Sequence, residues 1–344
     1  MNGSIHYHAA IIKSRSFLRA SLILVVTVAA AMVGAPVRAA PFPNAPTLPI
    51  EERYDAPGPW AVSTVKAVGC CDSSGATFDV WYPTDLGHHG FRHPIITWGN
   101  GTNAVPSQYS FLLAHLASWG FVVVASENTN TGTGQEILDA ARWIVAQNDR
   151  ASTPFYHALA PTRVGAIGHS QGASGALNAL IKSDGLITTA VPIELPPQVY
   201  CVATPARCAD TRALRGGAFF LVNGSADVVI SPSTQLLPWQ LAGLQSNFAY
   251  YQAAPTSVTK AWATLRGPAH NDVQGQPDCA SASPPIDPPL SCVNGVYGYL
   301  GYPTAWMMDR LQDDRYAHQA FISGTGEMFH ETANWTNQTS TSPN

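Results

Sequence analysis

The chain has 344 residues, with 18 Lys and Arg against 22 Asp and Glu and a formal net charge of −4. Lys13, Arg15, Arg19 and Arg38 have no acidic partner before residue 41, so residues 41–344 carry 14 cations against the same 22 acids, a net −8. An acidic chain with no basic run argues against nucleic acid or anionic membranes as partners, and 46% apolar residues is ordinary for a folded protein.

The first element is not a structural one. Basic residues precede an apolar run from Ala20 to Gly34, and the small residues of Ala35-Pro36-Val37-Arg38-Ala39-Ala40 follow. That order reads as a secretory signal over residues 1–40. The run is shorter than the roughly 20 apolar residues that cross a bilayer, so no stable membrane anchor is expected. Residues 41–344 are expected to be one exported, monomeric domain. The Pro-rich stretch from Pro41 to Pro59 reads as an extended leader.

Strand-like and helix-like runs then alternate. Phe78–Tyr82 and Pro94–Trp98 read as strands, Tyr109–Ser118 as a helix ending at Gly120, and Phe121–Ala125 as a strand buried on both faces. Gln135–Gln147 places Ile137, Leu138, Ala141, Ile144 and Val145 on one helical face. A strand at Val164–Ile167, a turn at Ser170 and a helix to Ile181 come next. Further strands are predicted at Ala190–Ile193, Ala218–Val222 and Ala261–Leu265, and a last helix at Ala305–Leu311. This alternation predicts an α/β fold with a mostly parallel sheet covered on both faces. Ser281–Pro289 reads as a Pro-rich surface loop.

Six cysteines in an exported chain point to disulfides. Local pairing of Cys201 with Cys208 and of Cys279 with Cys292 is the simplest scheme. Cys70 and Cys71 are adjacent, where a bridge is sterically awkward, so their state stays open. No CxxC is present, and His89 and His93 sit among Gly and Pro rather than on a helix. No metal or cofactor is expected.

The chemistry centres on Gly168-His169-Ser170-Gln171-Gly172, which lies between a predicted strand and a predicted helix. Glycines on either side give room for a tight turn that would project Ser170 from the sheet edge, beside a helix N-terminus that favours developing negative charge. A serine hydroxyl needs an adjacent base. Of the histidines after Ser170, His270 follows a strand, whereas His318 and His330 lie among polar residues near the C-terminus. Asp227 follows the strand Ala218–Val222 and is preferred as the orienting acid over Asp210 and Asp272. The backbone N–H groups of Asn100 and Gln171 are the expected oxyanion-hole donors. His169, Trp98 and Trp262 read as packing residues.

Together the Gly168–Gly172 motif, the strand-Gly99-Asn100 loop, Asp227 after its strand and Ala269-His270-Asn271 resemble the cutinase-like polyester hydrolases, which include enzymes acting on poly(ethylene terephthalate), and their chlorophyllase-like relatives. The resemblance spans roughly residues 78–270. It implies an α/β-hydrolase with Ser170 as nucleophile, His270 as base, Asp227 as acid and no cofactor. This chain departs from the polyester enzymes where they carry an aromatic residue (here Asn100), a Met (here Gln171) and a Trp after the strand that follows the nucleophile helix. Here that strand runs on into Glu194-Leu195-Pro196. Ester hydrolysis is therefore implied, without the aromatic clamp for a bulky acyl group. The Pro- and Cys-rich segments 200–208 and 279–292 are expected near the rim of the site. The alternatives are a lipase or a plant cell-wall-ester or amide hydrolase with the same triad, or a non-catalytic binding protein on a hydrolase fold.

Overall fold

Short apolar strands and amphipathic helices alternate in the computed structural model of the chain, which describes residues 42–234, 243–282 and 292–342. In order they are α1 (Pro49–Asp55), β1 (Val62–Val68), β2 (Phe78–Pro83), β3 (His93–Gly99), α2 (Ser110–Ser118), β4 (Val122–Ser126), α3 (Gln135–Gln147), β5 (Leu159–His169), α4 (Gln171–Lys182), β6 (Ile187–Ile193), β7 (Ala218–Gly224), α5 (Asn247–Ala253), β8 (Thr259–Leu265), α6 (Gly301–Gln312), α7 (Arg315–His318) and β9 (Trp335–Thr341). The signal expected over residues 1–40 and most of the Ser281–Pro289 loop lie outside the described residues.

The strands form one nine-stranded sheet in the order β1-β2-β4-β3-β5-β6-β7-β8-β9. From β4 to β8 the neighbours are parallel, while β1–β2, β2–β4 and β8–β9 are antiparallel. Helices cover both faces, which is why the central strands need apolar side chains at every position. Ile96, Trp98, Val123, Ile167, Val191 and Phe220 pack on one face with α1, α2 and α6. Ile95, Val122, Val124, Val164, Phe219 and Trp262 pack on the other with α3, α4 and α5. Each such large side chain contributes roughly 1.5–3 kcal/mol on burial.

Two expectations are corrected. The Pro41–Pro59 stretch is not extended throughout: residues 49–55 form α1. Pro49 stands at the first helical position, where its missing N–H costs nothing. The Ile50 and Glu51 amides donate to the Glu327 carboxylate, and Ile50 and Tyr54 are buried. Nor does the chain end on a helix. After α6 come α7 and then β9, whose sequence Trp-Thr-Asn-Gln-Thr-Ser-Thr is polar because only its start is buried and it lies at the sheet edge.

Strand β3 lies between β4 and β5, so the order of the parallel strands reverses there, and ligands of open α/β sheets bind at such switch points. The C-terminal ends of β3, β5, β6, β7 and β8 deliver Asn100, Ser170, Glu194, Asp227 and His270.

Candidate active site

Ser170 joins β5 to α4 with φ 56° and ψ −124°. A non-glycine residue in that region is strained by about 1–3 kcal/mol and persists only where its surroundings fix it. Here its N–H donates to Ile193 O at 3.0 Å, and its carbonyl accepts from Ala173 N at 2.9 Å. The flanking glycines are needed for close approach. A Cβ on Gly168 would sit 2.1 Å from the Gly172 carbonyl oxygen, and one on Gly172 would sit 2.2 Å from that of Gly99. Strand, turn and helix are thus pressed together with no room for a methyl group.

The structure brings three of the predicted side chains together. Ser170 Oγ lies 2.9 Å from His270 Nε2, and His270 Nδ1 lies 2.5 Å from Asp227 Oδ2. All three are buried, with only Ser170 reaching 8% exposure. Burial alone would raise the Asp227 carboxyl, but the hydrogen bond and charge of His270 outweigh it and hold the group below its ordinary value. The other Asp227 oxygen accepts from the Ile230 amide at 3.0 Å. An anion oriented on Nδ1 fixes the tautomer that leaves Nε2 free to accept the serine proton.

His169 does more than pack. Burial, then the neighbouring His270, pushes its ring down to about 3, so it is neutral. Its Nε2 lies 2.8 Å from the His270 carbonyl oxygen and its Nδ1 lies 2.9 Å from Tyr109 Oη. A neutral ring satisfies both only with the proton on Nε2, so Tyr109 donates to Nδ1. The same hydroxyl accepts from the Gly101 and Gln274 nitrogens, each at 3.1 Å. One buried chain of hydrogen bonds therefore connects the loop after β3, the serine turn and the His270 loop.

Asn100, whose backbone N–H is an expected oxyanion donor, is absent from the cleft lining. Asn100 is fully buried, and its side chain donates to the Ser126 and Asn128 carbonyls and accepts from Trp98 Nε1. From this loop, Gly101, Thr102, Asn103 and Ala104 line the cleft, and Asn100 does not. The Gly101 N–H is already committed to Tyr109. The reason is local: β3 runs to Gly99, and the wide turn needed to reach the cleft carries the chain one to two residues further. Gln171, the other expected donor, does line the cleft at the start of α4.

The remaining predicted residues fall elsewhere. Asp272 is buried and accepts from the amides of Ala269, Val293, Asn294 and Gly295, so it ties the His270 loop to the chain before α6. Asp210 caps a short turn and pairs with Arg212. His318 is exposed beside Asp309, and His330 is exposed. His93 uses both ring nitrogens, on Gly120 O and Gly87 N, as a structural histidine does. Cys201–Cys208 and Cys279–Cys292 are bridged, and so are Cys70 and Cys71, whose state the sequence left open. The first of these loops forms part of the cleft through Tyr200, Cys201, Thr204 and Arg207. Sequence reasoning missed Tyr109 and Glu194; Tyr109 sits in a helical apolar pattern and Glu194 in a Pro-flanked turn, and neither context carries a chemical signal.

The cleft above Ser170 has a volume of about 620 Å³. Its walls mix polar backbone with Pro196, Pro197, Tyr200 and Ile230. A strained serine on a strand-to-helix turn, on this sheet order, defines an α/β-hydrolase. Residues 36–200 match the model of the PET hydrolase-like (PETase) family, which supports a cutinase- and PET-hydrolase-like branch of that fold. Such a family implies an ester hydrolase of the α/β-hydrolase type. The matched segment contains the serine turn and stops before Asp227 and His270.

Proposed function

We propose that the protein is a secreted serine esterase that cleaves carboxylic esters through an acyl-Ser170 intermediate. The observation that carries this reading is the unbroken chain from Ser170 Oγ through His270 to Asp227, at 2.9 and 2.5 Å. His270 takes the serine proton as Ser170 attacks the ester carbonyl, then gives it to the leaving alcohol. It next draws a proton from water, which releases the acid and restores the serine. The Gln171 amide at the start of α4 is one oxyanion donor. The second is assigned to Thr102 rather than Asn100, because Thr102 lines the cleft and the Gly101 amide is used by Tyr109.

Export through removal of residues 1–40 is part of the proposal, and three disulfides support it. Among the described residues, no helix is long and apolar enough to cross a membrane. The substrate reading favours esters presented at a surface. The cleft residue Tyr200 is exposed, as are Val202 near it and Val228 and Val229 just before the cleft residue Ile230, and Tyr200 Oη donates to the Val229 carbonyl. That apolar rim suits a polymeric or aggregated ester better than a small soluble one.

A fluorophosphonate probe tests the reading. Labelling at Ser170, lost in Ser170→Ala together with hydrolysis while the thermal transition hardly moves, is the expected result. An unlabelled, folded wild type would leave a binding protein on a hydrolase fold. A chain-length series of nitrophenyl esters beside a polyester film then separates soluble-ester, lipase-like and polyester activity.

A further inference from the structure

Glu194, the residue after β6, is a carboxyl group at the site that the serine, histidine and aspartate do not account for. It has no solvent exposure and a left-handed backbone, φ 53°, with its N–H held on Val222 O at 2.9 Å. Such a conformation in a non-glycine residue persists where the surroundings impose it, and it clusters at functional sites. Here it turns the side chain in behind Asp227. Oε1 accepts from the Gly224 amide at 2.6 Å and from the Tyr299 hydroxyl. Oε2 is buried and, among the described residues, has no hydrogen-bond partner. A carboxyl oxygen of Glu194, one of Asp227 and a ring nitrogen of His270 lie within 4.8 Å of one another.

Two carboxylates this close in a dry site do not both stay ionised. The surroundings decide which one keeps the proton. Asp227 has the imidazole and the Ile230 amide. The groups facing Glu194 are Asp227 after β7, His270 after β8 and Tyr299 ahead of α6, with Asp272 behind Tyr299. Burial, and then the charge of Asp227, pushes Glu194 well above the usual carboxylate range, against the pull of its two donors. A carboxylic acid carries one O–H, and Oε1 is already filled by two donors, so the proton belongs on Oε2.

We propose that Glu194 is a positioning residue of the reaction: a neutral acid whose Oε2–H is donated to Asp227, keeping Asp227 the anion that orients His270. The proposal rests on the serine-esterase reading. It gives the site four linked members, Ser170, His270, Asp227 and Glu194, on the ends of four strands. By sharing the negative charge of Asp227, the donated proton weakens the hold of Asp227 on protonated His270. The acid limb of the reaction therefore responds to the proton that Glu194 holds.

The acid limb of kcat/KM, which reports the base in the free enzyme, measures this. Glu194→Gln keeps the shape and a neutral donor, so the limb should stay within about 0.3 pH unit and kcat within about threefold. Glu194→Met removes the donor; the limb should rise by roughly half to one pH unit and kcat should fall about tenfold. A limb that drops by about one pH unit in Glu194→Gln would mean that Glu194 is ionised, and an unmoved limb in Glu194→Met would mean that it has no influence. Either overturns the proposal. Infrared difference spectra of wild type against Glu194→Gln keep the idea falsifiable if the Met variant fails to fold. A protonated-carboxyl band that shifts in heavy water is expected in the wild type and lost in the variant; its absence from the wild type refutes the neutral acid. Fluorophosphonate labelling in the same preparations separates the two levels. An unlabelled wild type sinks the esterase reading, whereas a missing carboxyl band with labelling intact sinks only Glu194.

Discussion

The two sides of the site are built by different physics. On the serine side, β5, the turn and α4 are fixed by backbone packing: Gly168, Gly172 and Gly99 touch with no space for a side chain. On the acid side, the loops after β6, β7 and β8 carry Glu194, Asp227 and His270, a cluster of buried ionisable groups. The first side is mainly steric, with the neutral His169 ring as its buried titratable group beside the serine. The second is electrostatic, and each member depends on the protonation of its neighbours. A nucleophile has to be presented at one point, which close packing does well, whereas a proton acceptor has to change charge during each turnover, which needs partners that respond to charge.

The comparison can be broken first where its effect is largest. Asp227→Asn should reduce kcat by about 10³–10⁴ through loss of the His270 tautomer, read in single-turnover ester hydrolysis; a drop of less than tenfold would point to another acid. On the serine side the damage should fall on folding instead. Gly172→Ala forces a methyl into the Gly99 carbonyl and should cost about 3 kcal/mol or more in denaturant unfolding. A variant of wild-type stability would show that the turn is looser than the packing implies. Tyr109→Phe cuts the link between the two sides, leaving His169 Nδ1 and the Gly101 amide without their shared partner. The expected loss is about 1–3 kcal/mol of stability, accompanied by a several-fold fall in turnover.

A separate readout is the pH dependence of stability. Burial lowers His115 to about 4 and His169 to about 3, so both stay neutral in the folded chain at pH values where the unfolded chain, near 6.5, takes up protons. Their folded values are depressed, so the stability they contribute is present above about 6.5 and drains away as pH falls toward 4 and 3. Asp55, raised by burial to about 7, has the opposite sign: its contribution is present below the unfolded value near 4 and is lost as pH rises through 7. Thermal melts should therefore peak in mildly acid to neutral buffer and fall on the acid side. Replacing His115 with Gln should flatten that acid slope, and an unchanged slope would remove His115 from the account.

By itself the sequence determined the α/β class, the course of the central strands from β2 to β8, and the members Ser170, Asp227 and His270 that the fold brings together. These were legible because strands buried on both faces are written as unbroken apolar runs, and a tight strand-to-helix turn is written in glycines. Helix α1 was hidden by the prolines around it, and β9 by the polar residues of an edge strand. Only the tertiary structure decided the rest. Asn100 stops one residue short of the cleft lining, Cys70 is bridged to Cys71, His169 is tied to Tyr109 across 60 positions of chain, and Glu194 stands behind Asp227. Each of these depends on which strand ends meet in space. A local pattern of residue types records how a segment folds, but the protonation and reach of a side chain are set by neighbours that the chain brings in from far away.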